Sequence, residues 1–94
     1  MDDIERARAV AALRFRALGD ETRLRLLELL GNGEHTVADL MATTGLGQSL
    51  VSHHLRTLRE AGLVFVRREG RWAHYGIGAT GLKSAANFVT RLTD

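Results

Sequence analysis

The residues best suited to chemistry lie between positions 48 and 58, where polar and apolar side chains alternate at helical spacing. Val51, Leu55 and Leu58 share one face of a helix, which we expect to point into the core. The opposite face carries polar, mostly uncharged side chains: Gln48, Ser49, Ser52, His53 and Arg56. Gln and Arg can hydrogen-bond base edges, and Ser suits bases or phosphates. A merely solvated face usually carries more Lys and Glu, so the pattern favours contact with double-stranded DNA.

Arginines that follow this segment add positive charge. The formal net charge of the chain is only +2, but five arginines stand against two acids between positions 48 and 72. Three of these arginines fall in a predicted hairpin: Arg67, Arg68 and Arg71. Arg71, at the predicted tip, is suited to a minor groove, whose negative potential attracts arginine. The alternative is a solubilising hairpin edge, because edge strands often carry charge.

Two features argue against catalysis. The chain contains no cysteine, which excludes thiol nucleophiles, thiolate metal ligands, disulfides and thiol redox sensing. Ser52 and His53 are adjacent, and neighbours on a helix point about 100° apart, so they do not form a nucleophile–base pair. No acid or oxyanion hole is evident beside them. We therefore expect no enzymatic activity and see no evident cofactor.

Glycines and capping residues divide the chain into helices and one hairpin. Asp3 is predicted to cap a first helix, and Asp20 a second helix over Glu21–Leu30. Thr36-Val37-Ala38-Asp39 resembles a capping box. The remaining predicted boundaries are a helix-turn-helix over about 36–61 with its turn at Thr44–Leu46, a hairpin over about 63–77, and terminal helices over about 4–18 and 80–93.

This order of elements predicts a mainly α fold with a small β-hairpin wing, a winged helix-turn-helix that forms one domain over residues 1–94. The terminal helices carry apolar stripes that are unusual for solvent-facing helices. The first helix contributes Ile4, Ala7 and Ala11, and the last contributes Leu82, Ala85, Val89 and Leu92. Each stripe can pack on its own core or on a partner.

Two runs resemble the ArsR/SmtB family of regulators. They are ALGDETRLRLL at residues 17–27 and QSLVSHHLRTLREAGLV at residues 48–64, and the wing residues Arg68–Arg71 and Tyr75 also match. The similarity extends from about Leu13 to Ile77. The resemblance implies a homodimeric transcriptional repressor, paired through the first and last helices, that binds an inverted-repeat operator and often releases it when an inducer binds. It also places His54 at a usual histidine position, where we expect a hydrogen-bonded packing residue.

The sequence departs from the family pattern at its metal sites. Thr36 and Ala38 stand where one family site has thiolates, and Ala79-Thr80-Gly81 replaces the Asp-x-His that begins the other. Neither site can bind metal as the family does. The four histidines are His35, His53, His54 and His74. Nickel or zinc at a non-family site, a small organic effector, and no inducer at all remain open, and the metal ligands are unknown.

Other functions are weaker alternatives. A winged helix used only for protein–protein contact, or as a co-regulator without DNA specificity, would be expected to lose the basic residues that this chain keeps. RNA binding is disfavoured because no aromatic stacking platform is visible. No signal peptide is visible, and no apolar run approaches the roughly 18–20 residues of a membrane span. We expect a cytoplasmic protein, and we expect Trp72 and Tyr75 to pack the wing against the core.

Overall fold

The computed structural model describes Met1–Asp94 and contains five helices and one two-stranded hairpin. In chain order they are α1 (Asp3–Leu18), α2 (Glu21–Leu30), α3 (Val37–Thr44), α4 (Gln48–Glu60), β1 (Val64–Glu69), β2 (Trp72–Ile77) and α5 (Ala79–Leu92). The mainly helical winged helix-turn-helix predicted from the sequence is confirmed. No helix combines the length and apolar character that a transmembrane span needs.

Side-chain caps set the starts of the first three helices. Asp20 caps α2 by accepting a hydrogen bond at 3.0 Å from the backbone N–H of Arg23. Thr36 and Asp39 form the predicted capping box at the start of α3. The predicted cap of α1 is wrong by one residue, because the carboxylate of Asp2 rather than Asp3 accepts the backbone N–H of Glu5, at 2.8 Å.

The apolar face of α4 lies at the centre of the core. Its members Val51, Leu55 and Leu58 are fully buried, as predicted, and pack in one cluster with Leu26 and Leu40 from the preceding helices. The turn between α3 and α4 begins at Gly45, whose φ of +76° lies in the left-handed region that glycine adopts without strain. The core therefore fixes α4 in one rotation relative to α3.

The wing is an antiparallel hairpin paired from Val64↔Ile77 to Glu69↔Trp72. Its two-residue loop begins at Gly70, whose φ is +60°, the arrangement of a type II′ turn. His35 extends the sheet by one bridge, because its backbone N–H donates to the carbonyl of Tyr75 at 3.0 Å and its carbonyl accepts the Tyr75 N–H at 2.8 Å. The wing is therefore tied to the connection between α2 and α3.

The two wing aromatics have different environments. Tyr75 is half-buried and packs against the core, as predicted. The prediction for Trp72 is wrong, because 54% of this residue is exposed. Side chains on a strand alternate between faces, and the pairing places Trp72 on the face opposite Tyr75.

The terminal helices α1 and α5 pack against each other, with the rings of Phe15 and Phe88 edge to face at a centroid distance of 6.0 Å. The start of α5 is held to the end of α4. The N–H of Gly78 donates to the carbonyl of Leu63 at 2.8 Å. Gly81 lies so close to the carbonyl oxygen of Gly62 that a Cβ atom would overlap it.

The close approach of Gly81 leads to a stability prediction. Gly81→Ala should lower the free energy of unfolding by about 1–3 kcal/mol, because the new methyl group meets backbone atoms that cannot rotate away. This loss should outweigh the gain in helix propensity of roughly 1 kcal/mol. Urea denaturation followed by circular dichroism measures the change.

Gly47→Ser is the matched control, because a Cβ at Gly47 meets no atom within 4 Å and serine is a good N-cap. We expect this variant to be as stable as the parent or a few tenths of a kcal/mol more stable. Equal stability of Gly81→Ala and the parent would contradict the packing argument.

Candidate nucleic-acid interface

The outward face of α4 presents polar side chains to solvent. Gln48, Ser49, His53 and Arg56 are exposed and Ser52 is half-buried. All five line one shallow depression of about 500 Å³ that contains no hydrophobic residue. The structure therefore brings together the complete set of residues that the helical spacing predicted for this face.

A second depression of about 290 Å³ continues from the first toward the wing, with Ser52 and Arg56 shared between them. It adds Arg59 and Tyr75 to the surface. Neither was predicted as a contact residue, although Arg59 follows Arg56 by three positions and Ser52 by seven, which is the spacing of one helix face. Tyr75 could not be found in this way, because only the folded wing brings it to α4.

Strand alternation separates Arg67 from Arg68. Arg68 pairs with Ala73, and Val66 pairs with Tyr75, so Arg68 shares the face of the wing that turns toward α4. Arg67 points from the opposite face. Of the two neighbouring arginines, only Arg68 extends the polar surface of α4.

Arg67 is held by two carboxylates. Its Nε donates to Glu34 Oε1 and its Nη1 to Glu69 Oε2, both at 2.9 Å. The bond to Glu69, followed by the one to Glu34, raises the pKa of Arg67, and the same contact with Arg67 lowers the pKa of Glu69. The guanidinium of Arg67 thus joins the wing to the α2–α3 connection, and its predicted DNA contact, which would have to compete with these carboxylates, stays a prediction.

Arg71 occupies the second position of the wing loop and is exposed. Its guanidinium carbon lies 5.7 Å from the centroid of the Trp72 ring, which is within cation–π range. Arg71 enters none of the three ion pairs of the chain. The tip of the wing therefore carries a cation that no carboxylate neutralises.

A half-buried contact of Arg23 holds α4 against α1 and α2. The guanidinium of Arg23 donates through Nε to the carbonyl of Ala17 at 2.6 Å and through Nη2 to that of Arg16 at 3.2 Å. Its Nη1 lies 3.2 Å from Nδ1 of His54. Because a guanidinium only donates, Nδ1 must accept and the imidazole is neutral with its proton on Nε2. The prediction that His54 is a hydrogen-bonded packing residue is confirmed.

Charges around His54 act on its pKa in opposite directions. Burial lowers the pKa of His54 below its usual 6.5, and electrostatic repulsion from Arg23 and His53 lowers it further. The carboxylate of Asp20 partly opposes this shift. The pKa of Asp20 is itself lowered, mainly by the hydrogen bond from the backbone N–H of Arg23.

The side chains do not converge on a metal centre: no group of three or more His, Cys, Asp and Glu residues is placed to hold an ion. His53 and His54 are neighbours on α4 with ring centroids 5.3 Å apart, but the Nδ1 of His54 faces Arg23. The structure therefore gives no location for the nickel or zinc site that the sequence left open.

The predicted interface residues of the terminal helices separate into two groups. Ile4 and Leu92 are 73% exposed and Val89 is 48% exposed, and Ala7 is also exposed. The other three pack within the protomer: Ala11 and Ala85 are buried where α1 meets α5, and half-buried Leu82 packs against the core. Ala11, Ala85 and Leu82 therefore have little surface left for a partner.

Comparison with known proteins shows that this chain is similar to bacterial transcription regulators. Residues 20–65 match the family described as "Bacterial regulatory protein, arsR family". The chain is 45% identical over 62 residues to the arsenical resistance operon repressor of Escherichia coli, covering 65% of this chain and 53% of that protein. It is 33% identical over 92 residues to the transcriptional activator HlyU of Vibrio cholerae, covering 98% of this chain and 85% of that protein.

Solved structures show the same fold. One is the homodimeric winged helix-turn-helix DNA-binding domain of a possible ArsR-family transcriptional regulator from Mycobacterium bovis. It matches with a TM-score of 0.82 and 29% identity, covering 99% of this chain and 87% of that chain. The chain spans about half the length of the first curated relatives that it matches.

The environment of His54 leads to a prediction about pH. Its folded-state pKa lies below the unfolded value of 6.5, so the unfolded chain takes up a proton first as the pH falls. The free energy of unfolding should therefore be unaffected by His54 above about pH 6.5 and should decrease as the pH falls from there to the folded-state pKa. Between about pH 7.5 and about pH 5.5 the loss should reach at most about 1.4 kcal/mol, which corresponds to one pH unit below the unfolded pKa.

Urea unfolding of the parent and of His54→Gln at these two pH values isolates the contribution of His54 to the free energy of unfolding. The amide of the variant can still accept a hydrogen bond from Arg23 but does not titrate. The parent should lose more stability than the variant. Asp20 stays ionised over this range because its pKa is lowered from 3.8. The same pH dependence in both proteins would show that His54 is not the group responsible.

Proposed function

Because the chain belongs to the ArsR family of bacterial regulatory proteins, whose members are transcription regulators rather than enzymes, we propose that it binds a specific double-stranded DNA operator as a homodimer and represses transcription. Only the family and the type of regulator come from the relatives. The operator, the dimer and the direction of regulation are part of the proposal, as is action in the cytoplasm, where such an operator is accessible.

The observation that supports the proposal best is the two-sided character of α4. Val51, Leu55 and Leu58 are fully buried, while the polar residues of the other face form one continuous depression. A helix held in this way can enter a major groove without losing its core contacts. Gln48 and Arg56 are the side chains best suited to base edges, because both can form two hydrogen bonds in one plane.

The remaining polar residues suit the DNA backbone. Ser49, Ser52 and His53 flank the two proposed base-reading side chains on α4 and can donate to phosphates. Arg59 and Arg68 lie farther along the same surface toward the wing. Arg71 at the wing tip is positioned for an adjacent minor groove, where negative potential attracts arginine. The wing thus adds affinity, and α4 provides most of the sequence preference.

The exposed apolar residues of the terminal helices support a homodimer. Ile4, Val89 and Leu92 are unusually exposed for large apolar side chains, and they lie on the two helices that pack together at one end of the protomer. Covering them with a second copy removes apolar surface from water. A two-fold dimer would place two α4 helices on half-sites about one helical turn apart, which corresponds to an inverted-repeat operator.

Repression is the direction that we propose, because a dimer bound across a promoter excludes polymerase without any further contact. The relatives include a repressor and an activator, so membership of the family does not fix the direction of regulation. A promoter-driven reporter measured with and without the protein tests this point. Lower expression with the protein supports repression, and higher expression contradicts it.

The proposed base contacts lead to a prediction. Gln48→Ala and Arg56→Ala should each weaken operator binding by about 1–3 kcal/mol and reduce discrimination against a scrambled duplex, because each removes base-edge hydrogen bonds. Fluorescence anisotropy on the protein's own promoter fragment, at two salt concentrations, measures both effects. Circular dichroism confirms that the variants are folded.

Arg67→Gln is the matched control on the wing. The guanidinium of Arg67 is engaged by Glu34 and Glu69, so its removal should change operator affinity by less than about 0.5 kcal/mol, as surface substitutions usually do. Unchanged binding by both α4 variants would contradict the proposed contacts. The absence of any promoter preference in the parent would favour the alternative of a winged helix used for protein contact.

The dimer leads to a separate prediction. Val89→Glu should make the protein monomeric at micromolar concentration and weaken operator binding, because it places a charge in an apolar interface. Analytical ultracentrifugation measures the mass. Thr90→Glu is the control, because Thr90 lies in a polar depression with Ser84 and Asn87. A monomeric parent, or a dimer that both substitutions leave intact, would contradict the proposed interface.

A further inference from the structure

A groove of about 360 Å³ runs between α1 and α5, on residues that the nucleic-acid interface does not use. Its apolar wall consists of Ala7, Val10, Ala11, Ala85 and Phe88. Small-molecule sites commonly have volumes of about 300–1,000 Å³ and combine mostly apolar walls with a few polar groups. The groove therefore has room for one small molecule with an apolar body.

Three guanidinium groups and one carboxylate border the same groove. The cations are Arg6, Arg14 and Arg91, and the carboxylate is Asp3. Asp3 and Arg6 are exposed and 3.7 Å apart, which is a weak ion pair, and Arg91 enters no ion pair at all. Because a guanidinium can bind a carboxylate through two parallel hydrogen bonds, the excess positive charge complements an organic anion.

Arg14 connects this groove to α4. Its Nε donates to the carbonyl of Ala61 at 3.0 Å, directly after the last residue of the helix. The start of α5 holds the next residue, because Gly81 packs on the carbonyl of Gly62. The two helices that form the groove are therefore the two that hold the end of α4.

We propose that the groove between α1 and α5 binds a small carboxylate with an aromatic or branched apolar body, and that binding changes the affinity of α4 for DNA. The carboxylate binds Arg91, and the apolar body lies between Ala7 and Phe88. A ligand that shifts α5 relative to α1 strains the two contacts that hold the end of α4, from Arg14 to Ala61 and from Gly81 to Gly62. This supplies an effector class for a chain in which Thr36 and Ala38 replace thiolates.

The regulatory part of this proposal rests on the proposed function, because the groove affects transcription only if α4 binds an operator. The groove also borders the proposed dimer surface, since Ile4 and Leu92 line the adjoining depression together with Ala7, Phe88 and Arg91. A partner protomer on that surface covers the ligand and shields its carboxylate from water, which strengthens the contact with Arg91.

Calorimetric titration of the DNA-free protein with phenylacetate tests the site, with 2-phenylethanol as an uncharged probe of similar shape. We expect saturable binding of phenylacetate and at least about tenfold weaker binding of the alcohol, because the charge-assisted hydrogen bonds are lost. Arg91→Gln should weaken phenylacetate binding by at least about tenfold for the same reason. Lys83→Gln removes one charge from α5 outside the groove and should bind phenylacetate as the parent does.

Operator affinity is then measured by anisotropy with and without phenylacetate. We expect a change of at least about fivefold in the parent and a smaller change in Arg91→Gln. Saturable binding with unchanged operator affinity would overturn the regulatory part. If the parent does not select its promoter in any condition, the proposed function fails instead, and the calorimetric result still decides whether the site exists.

Three results would overturn the site itself. The first is no saturable heat with phenylacetate, and the second is equal affinity of the parent and Arg91→Gln for it. The third is conversion of the dimer to monomer as phenylacetate binds, measured by ultracentrifugation. That result would show that side chains of a second copy of this chain normally fill the groove.

Discussion

The burial of the apolar face of α4 is the constraint on which the rest of the structure depends. Val51, Leu55 and Leu58 have no solvent exposure, and each buried aliphatic side chain contributes about 1.5–3 kcal/mol. Rotation of α4 by one residue would exchange buried aliphatic groups for polar ones, so the helix has one stable orientation. Because the aliphatic face of α4 must point into the core, the polar face on the opposite side of the helix points outward.

Polar contacts then fix the position of α4 along and across the core. Near its middle, His54 accepts a hydrogen bond from Arg23, whose guanidinium also binds carbonyls at the end of α1. At its carboxyl end, Arg14 binds the carbonyl of Ala61. A cation at this end also interacts favourably with the helix dipole. Helix α4 is thus held by the same terminal helix that supplies part of the proposed dimer surface.

The arginines of the chain fall into two groups: those already bonded to carbonyls or carboxylates of the protein, and those that form no ion pair. Arg23 and Arg14 are occupied with backbone carbonyls, and Arg67 is occupied with Glu34 and Glu69. Arg56, Arg59, Arg68 and Arg71 enter none of the chain's ion pairs. The local positive charge between positions 48 and 72 is therefore concentrated on one side of α4 and the wing. The cations available to the proposed DNA interface are therefore fewer and better defined than the composition suggests.

The sequence by itself determined the elements and the faces of α4, because both follow from interactions within a few residues. Helical spacing separated Val51 and Leu55 from Gln48 and Arg56, and capping residues and glycines marked the helix ends to within one or two residues. The resemblance to the ArsR family rested on the same local runs.

Only the tertiary structure decided which side of the wing faces α4. Arg67 and Arg68 are neighbours with identical side chains, and Glu34, which binds one of them, lies 33 positions away. Trp72 was expected to pack against the core and is exposed, while Ala11 and Ala85 are already buried within the protomer. These outcomes depend on how distant elements pack together, and no periodicity within a single element contains that information.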